Sequence, residues 1–356
     1  MELKEHTLII KQIIVEFYNL KLNLLDLSII IINYKSSGLI VNCINSIYKE
    51  TTKIKFEIII ADNHSQDGSE EKITRAFPSV IWINMNYNAG FARANNAGIA
   101  ASKAPLVLLL NPDTIILDNA IEKSYLLLKD SPFVACGVQL LNDDGTHQIS
   151  GSAAMKGGLN YLLPLPFMGN FFKVVANLFK IKKPGILEAG DIAEVDWING
   201  AYLMVKKQAI DQAGLIDEDF FLYAEEAEWC SRLRKAGELC VYGNLKIVHL
   251  QGEVSKDAFQ AQGRGYFDLF DKRGLQIMLS NLVRIRKEFG VFWFLFMLSM
   301  YTIEIPVFFI GLILSKIFFI KGYSFAQFTG YLKNVFRIFG LTKIIVRNKP
   351  YFYKVL

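Results

Sequence analysis

Residues 106–110, LVLLL, are apolar without a break, and the run stops at Asn111-Pro112-Asp113. It is too short for a helix and suits a strand buried on both faces, which Pro112 ends. The pattern recurs upstream. A β-branched run at 27–33 ends in Asn33, a run at 56–61 is followed by Asp62 and Asn63, and a run at 80–83 precedes Asn86 and Asn88. Between them, residues 39–49, the stretch up to Phe77 and the segment opened by 88–98 predict helices. Strands and helices alternating at roughly 25 to 30 residues predict right-handed βαβ units and a mostly parallel, Rossmann-like sheet in an α/β domain. The polar punctuation falls just after each strand, on the rim where open α/β sheets bind ligands.

Beyond this the pattern loosens. Residues 133–140 read as a strand, 142–145 (NDDG) as a tight turn leading to Gln148 and Ser150, and 197–205 as another strand. Residues 151–190 are rich in Gly, Pro and aromatics without a period, which predicts a flap or an acceptor site. A helix beginning near Phe220 ends at Lys235-Ala-Gly237, and 241–249 reads as a strand closed by His249, with Gly252 and Ser255 behind it. Ahead of the first strand, residues 1–26 show amphipathic helical spacing with too many polar residues to cross a bilayer.

Charge divides the 356 residues. From Lys256 onward there are 15 Lys/Arg against 5 Asp/Glu, about +10, which leaves 24 against 29, about −5, for the rest. The basic tail is interleaved with apolar runs and so suits an anionic membrane surface rather than nucleic acid. Cys43, Cys136, Cys230 and Cys240 make no CxxC and no zinc spacing, and no signal peptide is visible, so reduced thiols in a cytosolic compartment are expected. The expected organisation is an N-terminal extension (1–26), a catalytic domain (27–255) and a basic, hydrophobic helical region (256–356).

Three features carry chemistry. Asp113, at the C-terminal end of a buried strand, reads as a hard-metal or phosphate-side residue, or else as part of an Asn-Pro-Asp turn. Glu225, Glu226 and Glu228 fall within one helical turn beside Tyr223 and Trp229. Mutual repulsion raises at least one pKa and would suit a general base, but the residues alone favour an acidic first turn complementing the helix dipole. His249, taken alone, reads as structural.

The order of seven segments changes these readings: IIIINY (29–34), IIIADNHSQDGS (58–69), NYNAGFARANNAGI (86–99), LLLNPDT (108–114), WINGAYLMV (197–205), GLIDEDFFLYAEEAEWCSRLRKAG (214–237) and IVHLQG (247–252). Together they resemble family 2 glycosyltransferases, in particular the rhamnosyltransferase-like branch that builds bacterial surface polysaccharides. The resemblance implies a GT-A fold, a nucleotide-sugar donor, Mg2+ or Mn2+, and inversion at the anomeric carbon. It implies that Asp62 contacts the base with Asn33 and Asn63 beside it, and that Asn88, Gly90, Phe91 and Asn95 line the nucleoside and donor sugar. It makes Asn111-Pro112-Asp113 the family's DXD motif with Asp113 as its charged ligand, His249 a metal or diphosphate residue, and Glu226 the catalytic base, with Glu225 as the alternative. Trp197, Asn199, Gly200 and Tyr223 fall on the acceptor side. One departure stands out. The family's Glu-Asp-x-Asp is here Glu225-Glu226-Ala227-Glu228. Each altered arm is longer by one methylene, about one carbon–carbon bond length.

The implied reaction moves a sugar, rhamnose from dTDP-rhamnose in first place and a UDP-sugar otherwise, to a lipid-linked saccharide at the cytoplasmic face of a bacterial inner membrane. A catalytically silent nucleotide-sugar-binding scaffold of the same fold is the alternative. In the tail, residues 291–320 carry only Glu304 and Lys316 as charges and are split by Pro306, which predicts two helices of about 14 residues in an interfacial hairpin. An integral span through 291–320 is the alternative, and a homo-oligomerisation surface is compatible with either.

Overall fold

The run from Leu27 to Asn33 forms β1, and every one of its residues is buried. In this computed structural model, which describes residues 24–152, 156–179, 185–250, 268–320 and 322–355, β1 lies inside a nine-stranded sheet. The expected N-terminal amphipathic helix, Gly252 and Ser255 lie outside the described residues.

The chain continues through α1 (Ser37–Glu50), β2 (Phe56–Asp62), α2 (Ser69–Ala76), β3 (Ile81–Asn84), α3 (Gly90–Ala101), β4 (Leu106–Leu110), β5 (Thr114–Ile116), α4 (Ala120–Lys129) and β6 (Ala135–Leu141). Then come β7 (Gly151–Ser152), a 3-10 turn (Lys156–Leu162), α5 (Met168–Leu178), β8 (Gly185–Ile186), β9 (Ala193–Val195), β10 (Trp197–Ile198), β11 (Tyr202–Lys206), α6 (Lys207–Ala213), α7 (Glu225–Leu233) and β12 (Leu239–His249). Two long helices, α8 (Lys272–Ile317) and α9 (Phe325–Arg347), complete the chain. The main sheet runs β3-β2-β1-β4-β11-β6-β12-β5 with β9 on β12, and its first four strands are all parallel.

Why the β1 and β4 runs are unbroken is visible in the packing. Ile29, Ile31, Leu108 and Leu110 face α1 and α4, while Ile30, Ile32 and Leu109 face α3 and α7, so both faces are covered. The strands therefore end together. Asn33 is in register with Asp62, and β4 stops at Leu110 beside Ile31, so the polar residues that follow share one edge.

Three expectations are corrected. The 197–205 strand is broken, because Tyr202 N returns to the Asn199 carbonyl in a turn that leaves Trp197 and Ile198 on the small sheet with β7 and β8. The 151–190 segment is not a bare loop: it holds the 3-10 turn and α5.

The tail differs most. Helix α8 passes through Pro306 and departs from helical geometry at Gly290 instead (φ 88°, ψ 179°). An interior proline costs about 3 kcal/mol. Here Phe294, Met297, Leu298 and Tyr301 before it and Phe308 and Leu312 after it belong to one core shared with α9, which offsets that loss. The hairpin is thus formed by α8 and α9, not by two short helices around Pro306. Among the described residues α8 alone is long and apolar enough, by length and composition, to cross a membrane.

Candidate active site

The rim begins with Asp62. Its Oδ1 accepts from Asn33 Nδ2 (2.7 Å) and Ser65 Oγ (2.5 Å), and its Oδ2 from Ser65 N (3.0 Å). Asn33 Oδ1 takes Ser36 N and Oγ, so Asn33 is spent on holding Asp62 and the following turn. A cleft of about 400 Å³ opens from Asp62 along His64, Ser65, Asp67 and Glu70 to Trp82 and Asn84. Its carboxylates suit N–H and hydroxyl donors and repel phosphate.

Asn63 clamps the next loop. It accepts from Ala89 N (3.1 Å) and donates to the Gly90 carbonyl (3.0 Å), while Asn88 Oδ1 accepts from Gly90 N. Gly90 has φ 76°, and a Cβ there would overlap the Phe221 carbonyl, which instead accepts Phe91 N at 2.8 Å. That contact seats the 88–95 segment against the stretch leading into α7. Gly200 closes the triangle: a Cβ on it would lie 3.5 Å from Glu226 Cγ and 3.7 Å from the Phe91 ring.

The acidic helix sorts its three carboxylates. Glu228 is paired with Arg232, whose Nε donates to Oε1 at 2.7 Å and whose Nη2 donates to Oε2 at the same distance. Partners four residues apart on a helix meet in this way, and the pairing removes Glu228 from the expected cluster. Glu225 is buried, and burial followed by the nearby charge of Glu226 pushes its carboxyl well above the usual range. Glu226 is half-buried. Burial raises its carboxyl as well, while its own and Ala227's backbone N–H groups, the Arg284 guanidinium and the Trp197 indole favour the charged form. Just before the pair, Tyr223 has φ 71 and Ala224 φ 67, both in the left-handed region. Such strained backbone is found where geometry is imposed on a site.

At the far end of the rim, β12 pairs antiparallel with β5, His249 opposite Thr114, and Leu250 N donates to the Asp113 carbonyl. His249 Nε2 lies 3.5 Å from Asp113 Oδ1 and 3.4 Å from Asn111 Nδ2. His249 Nδ1 faces Gln148 Oε1 at 2.9 Å, and Gln148 Nε2 donates to the His249 carbonyl (2.6 Å). The Gln148 oxygen fixes the tautomer with hydrogen on Nδ1, so the Nε2 lone pair faces a carboxylate oxygen. Two buried acceptors turned towards each other suit a cation between them, and an oxygen and an imidazole nitrogen fit a divalent ion completed by phosphate and water.

Other expected residues serve the scaffold. Asn199 spends both ends of its amide on the backbone of Ile149 and Ala201. Asn95 donates to the Phe91 carbonyl, but its Oδ1 is left over. Among the described residues four buried side-chain atoms lack a hydrogen bond of good geometry, and three of them, Asn95 Oδ1, Trp197 Nε1 and Glu225 Oε2, belong to expected site residues. Sequence reasoning missed three contributors. Arg284, paired with Glu288 and Tyr161, sends its field to Glu226, and Lys354 donates to the Asn88 carbonyl (2.9 Å) over the Phe221 ring. Gln148 was placed only after a turn, and no local pattern marks any of the three.

The mostly parallel sheet with its reversed strand β11 and the rim at its carboxyl ends define a GT-A fold. Among solved structures, GalNAc-T7 crystallised with UDP, GalNAc and Mn2+ superposes with a TM-score of 0.51 over 74% of this chain and 48% of that one, at 14% identity, a likeness of fold. Residues 28–180 match the family model for glycosyl transferase family 2. It is 29% identical over 250 residues to the low-salt glycan biosynthesis hexosyltransferase Agl10 of Haloferax volcanii, across 68% of this chain and 73% of that protein. It is 27% identical over 214 residues to an N-acetylglucosaminyl-diphospho-decaprenol L-rhamnosyltransferase of Mycobacterium tuberculosis, across 56% of this chain and 67% of that protein.

Proposed function

We propose that this protein is an inverting, metal-dependent transferase that moves rhamnose from dTDP-rhamnose to a hydroxyl of a lipid-linked glycan at a membrane surface. The observation that carries the reading is the rim pair His249 Nε2 and Asp113 Oδ1, 3.5 Å apart and buried, which suits a divalent cation and its diphosphate. The name of the mycobacterial relative supports rhamnose and a lipid diphosphate acceptor.

In this reading the nucleoside lies in the cleft at Asp62 and the diphosphate at Asp113 and His249. A divalent cation held by those two side chains would neutralise charge on the departing diphosphate. Glu226, the more exposed of the pair, takes the proton of the acceptor hydroxyl as that oxygen attacks the anomeric carbon. The bond from that carbon to the diphosphate oxygen breaks, and its electron pair leaves with the diphosphate. Buried Glu225 keeps its proton while Glu226 is charged, so the two share one negative charge.

The test is calorimetric binding of dTDP-rhamnose, UDP-galactose, UDP-galactofuranose, UDP-glucose and GDP-mannose with Mn2+ to the full chain. Metal-dependent preference for dTDP-rhamnose, lost in Asp113→Ala, is expected. Preference for another donor overturns the sugar. Binding with no turnover of the bound donor leaves the nucleotide-sugar-binding scaffold, and binding of none overturns both readings.

A further inference from the structure

We infer that α5, in the catalytic half of the chain, is a membrane-inserting helix that extends the apolar face of α8 and α9, and that what covers this face is a bilayer with anionic headgroups. The inference rests on the membrane-surface reading above and adds to it an element from outside the tail.

Helix α5 reads MGNFFKVVANL, with Lys173 its one charge, and only Gly169 on it is buried. Phe171, Leu178 and the following Phe179 are 63%, 75% and 74% exposed. A helix this apolar normally buries a stripe against its own protein, and an uncovered patch of this kind marks an interaction surface.

Helix α5 is nevertheless fixed in place. Glu304, fully buried in the middle of α8, accepts the Phe167 and Met168 backbone N–H groups at 2.8 and 3.0 Å and so caps the start of α5. The Phe167 ring packs on Phe308 and Tyr323, and a Cβ at Gly311 would lie 2.6 Å from it. A carboxylate inside an apolar helix is thereby explained: it satisfies donors that have no water to turn to. Past this junction Ile310, Ile313 and Ile317 on α8 and Phe325, Phe336 and Phe339 on α9 are exposed as well, each set at helical spacing on one side of its helix.

Charge selects the partner. After Glu304 the chain carries eight Lys/Arg and no Asp/Glu, and four of them, Lys333, Arg337, Lys343 and Arg347, lie on α9. A second copy of the face would set cations against cations, whereas anionic headgroups beside an apolar interior match both properties. The segment also ties the surface to the chemistry. The 3-10 turn before α5 places Tyr161 on Arg284, whose charge acts on Glu226, so the segment leading into α5 is linked to the carboxylate pair through Arg284.

The test is flotation of the full chain with vesicles of equimolar phosphatidylcholine and phosphatidylglycerol. It compares wild type, the double variant Phe171→Glu/Leu178→Glu, and Leu126→Glu, an exposed apolar position on α4. Wild type and Leu126→Glu are expected to float, and the double variant to lose partitioning by more than about tenfold while keeping its nucleotide-sugar binding. A double variant that floats like wild type overturns the role of α5 and leaves the membrane reading standing. A wild type that ignores the vesicles overturns both, and if it sediments as a dimer that the double variant breaks, the face belongs to a second copy.

Discussion

His249 Nδ1 is held by Gln148 Oε1 at 2.9 Å, and this contact turns His249 Nε2 onto Asp113 Oδ1 at 3.5 Å. Gln148 therefore aims the imidazole without joining the proposed donor set. Replacing Gln148 with Ala is expected to weaken Mn2+ affinity by about 10- to 100-fold, the usual cost of losing such an outer partner. Asp113→Ala should remove metal-dependent nucleotide binding altogether. Mn2+ titration followed by electron spin resonance reads both, and unchanged affinity in Gln148→Ala would show that His249 is oriented by something else.

Glu225 and Glu226 differ in exposure, and their variants should differ accordingly. Glu226→Gln is expected to lower kcat by about 10²- to 10⁴-fold, the range for loss of a general base, with donor affinity intact. Because burial raises the pair, the acid limb of the kcat/KM profile should lie above the range of an ordinary carboxylate, with activity rising as pH rises through it. An acid limb at an ordinary carboxylate position would rule out the pair as the titrating group.

The same burial has a stability consequence of opposite sign. A carboxyl whose pKa is higher folded than unfolded binds more protons in the native state, so its contribution is fullest below the unfolded pKa and is lost as pH climbs towards the folded one. Glu225→Gln, neutral at every pH, should raise the melting temperature above the wild type's at neutral pH and make little difference in acid. Equal melting curves at both pH values would contradict the buried position of its orphaned oxygen.

Gly90 combines a φ of 76° with close approach to the Phe221 carbonyl. Gly90→Ala should destabilise the fold by more than about 1 kcal/mol. It should also weaken donor binding, because the 88–95 segment must move off α7's leading stretch. Denaturant unfolding and donor titration measure the two effects.

All four cysteines are buried and unpaired, and burial pushes Cys43, Cys230 and Cys240 up to about 12. Native protein at neutral pH is expected to resist maleimide, with all four thiols reacting once it is denatured. Rapid labelling of the native chain would contradict their burial.

Much of the sheet-bearing half was legible because strand burial is a local property. An unbroken apolar run needs cover on both faces, and the cover comes from helices whose spacing is also written locally. The polar residue after each run then had only one edge to occupy, which is why Asn33, Asp62 and Asp113 fall on the rim as expected. The pairing of Glu228 is also written locally, since Arg232 stands four residues on.

Contacts between distant segments were not written in any local pattern. His249 meets Asp113 because β12 runs antiparallel to β5, and Gln148 reaches them across a turn whose register is set by β6. Lys354 and Arg284 approach the site from a tail whose composition speaks only of basic and apolar character. Proline and glycine show the division most plainly. A proline in an apolar run signals a break by its own geometry, yet α8 runs through Pro306 because both halves share one core with α9. The departure falls instead at Gly290, where the backbone adopts a positive φ that glycine permits. Local chemistry determined which residues could end a strand, cap a turn or carry a charge. Packing over long sequence separations decided which of them met, because the energy that favours each meeting is shared among segments that no short window contains.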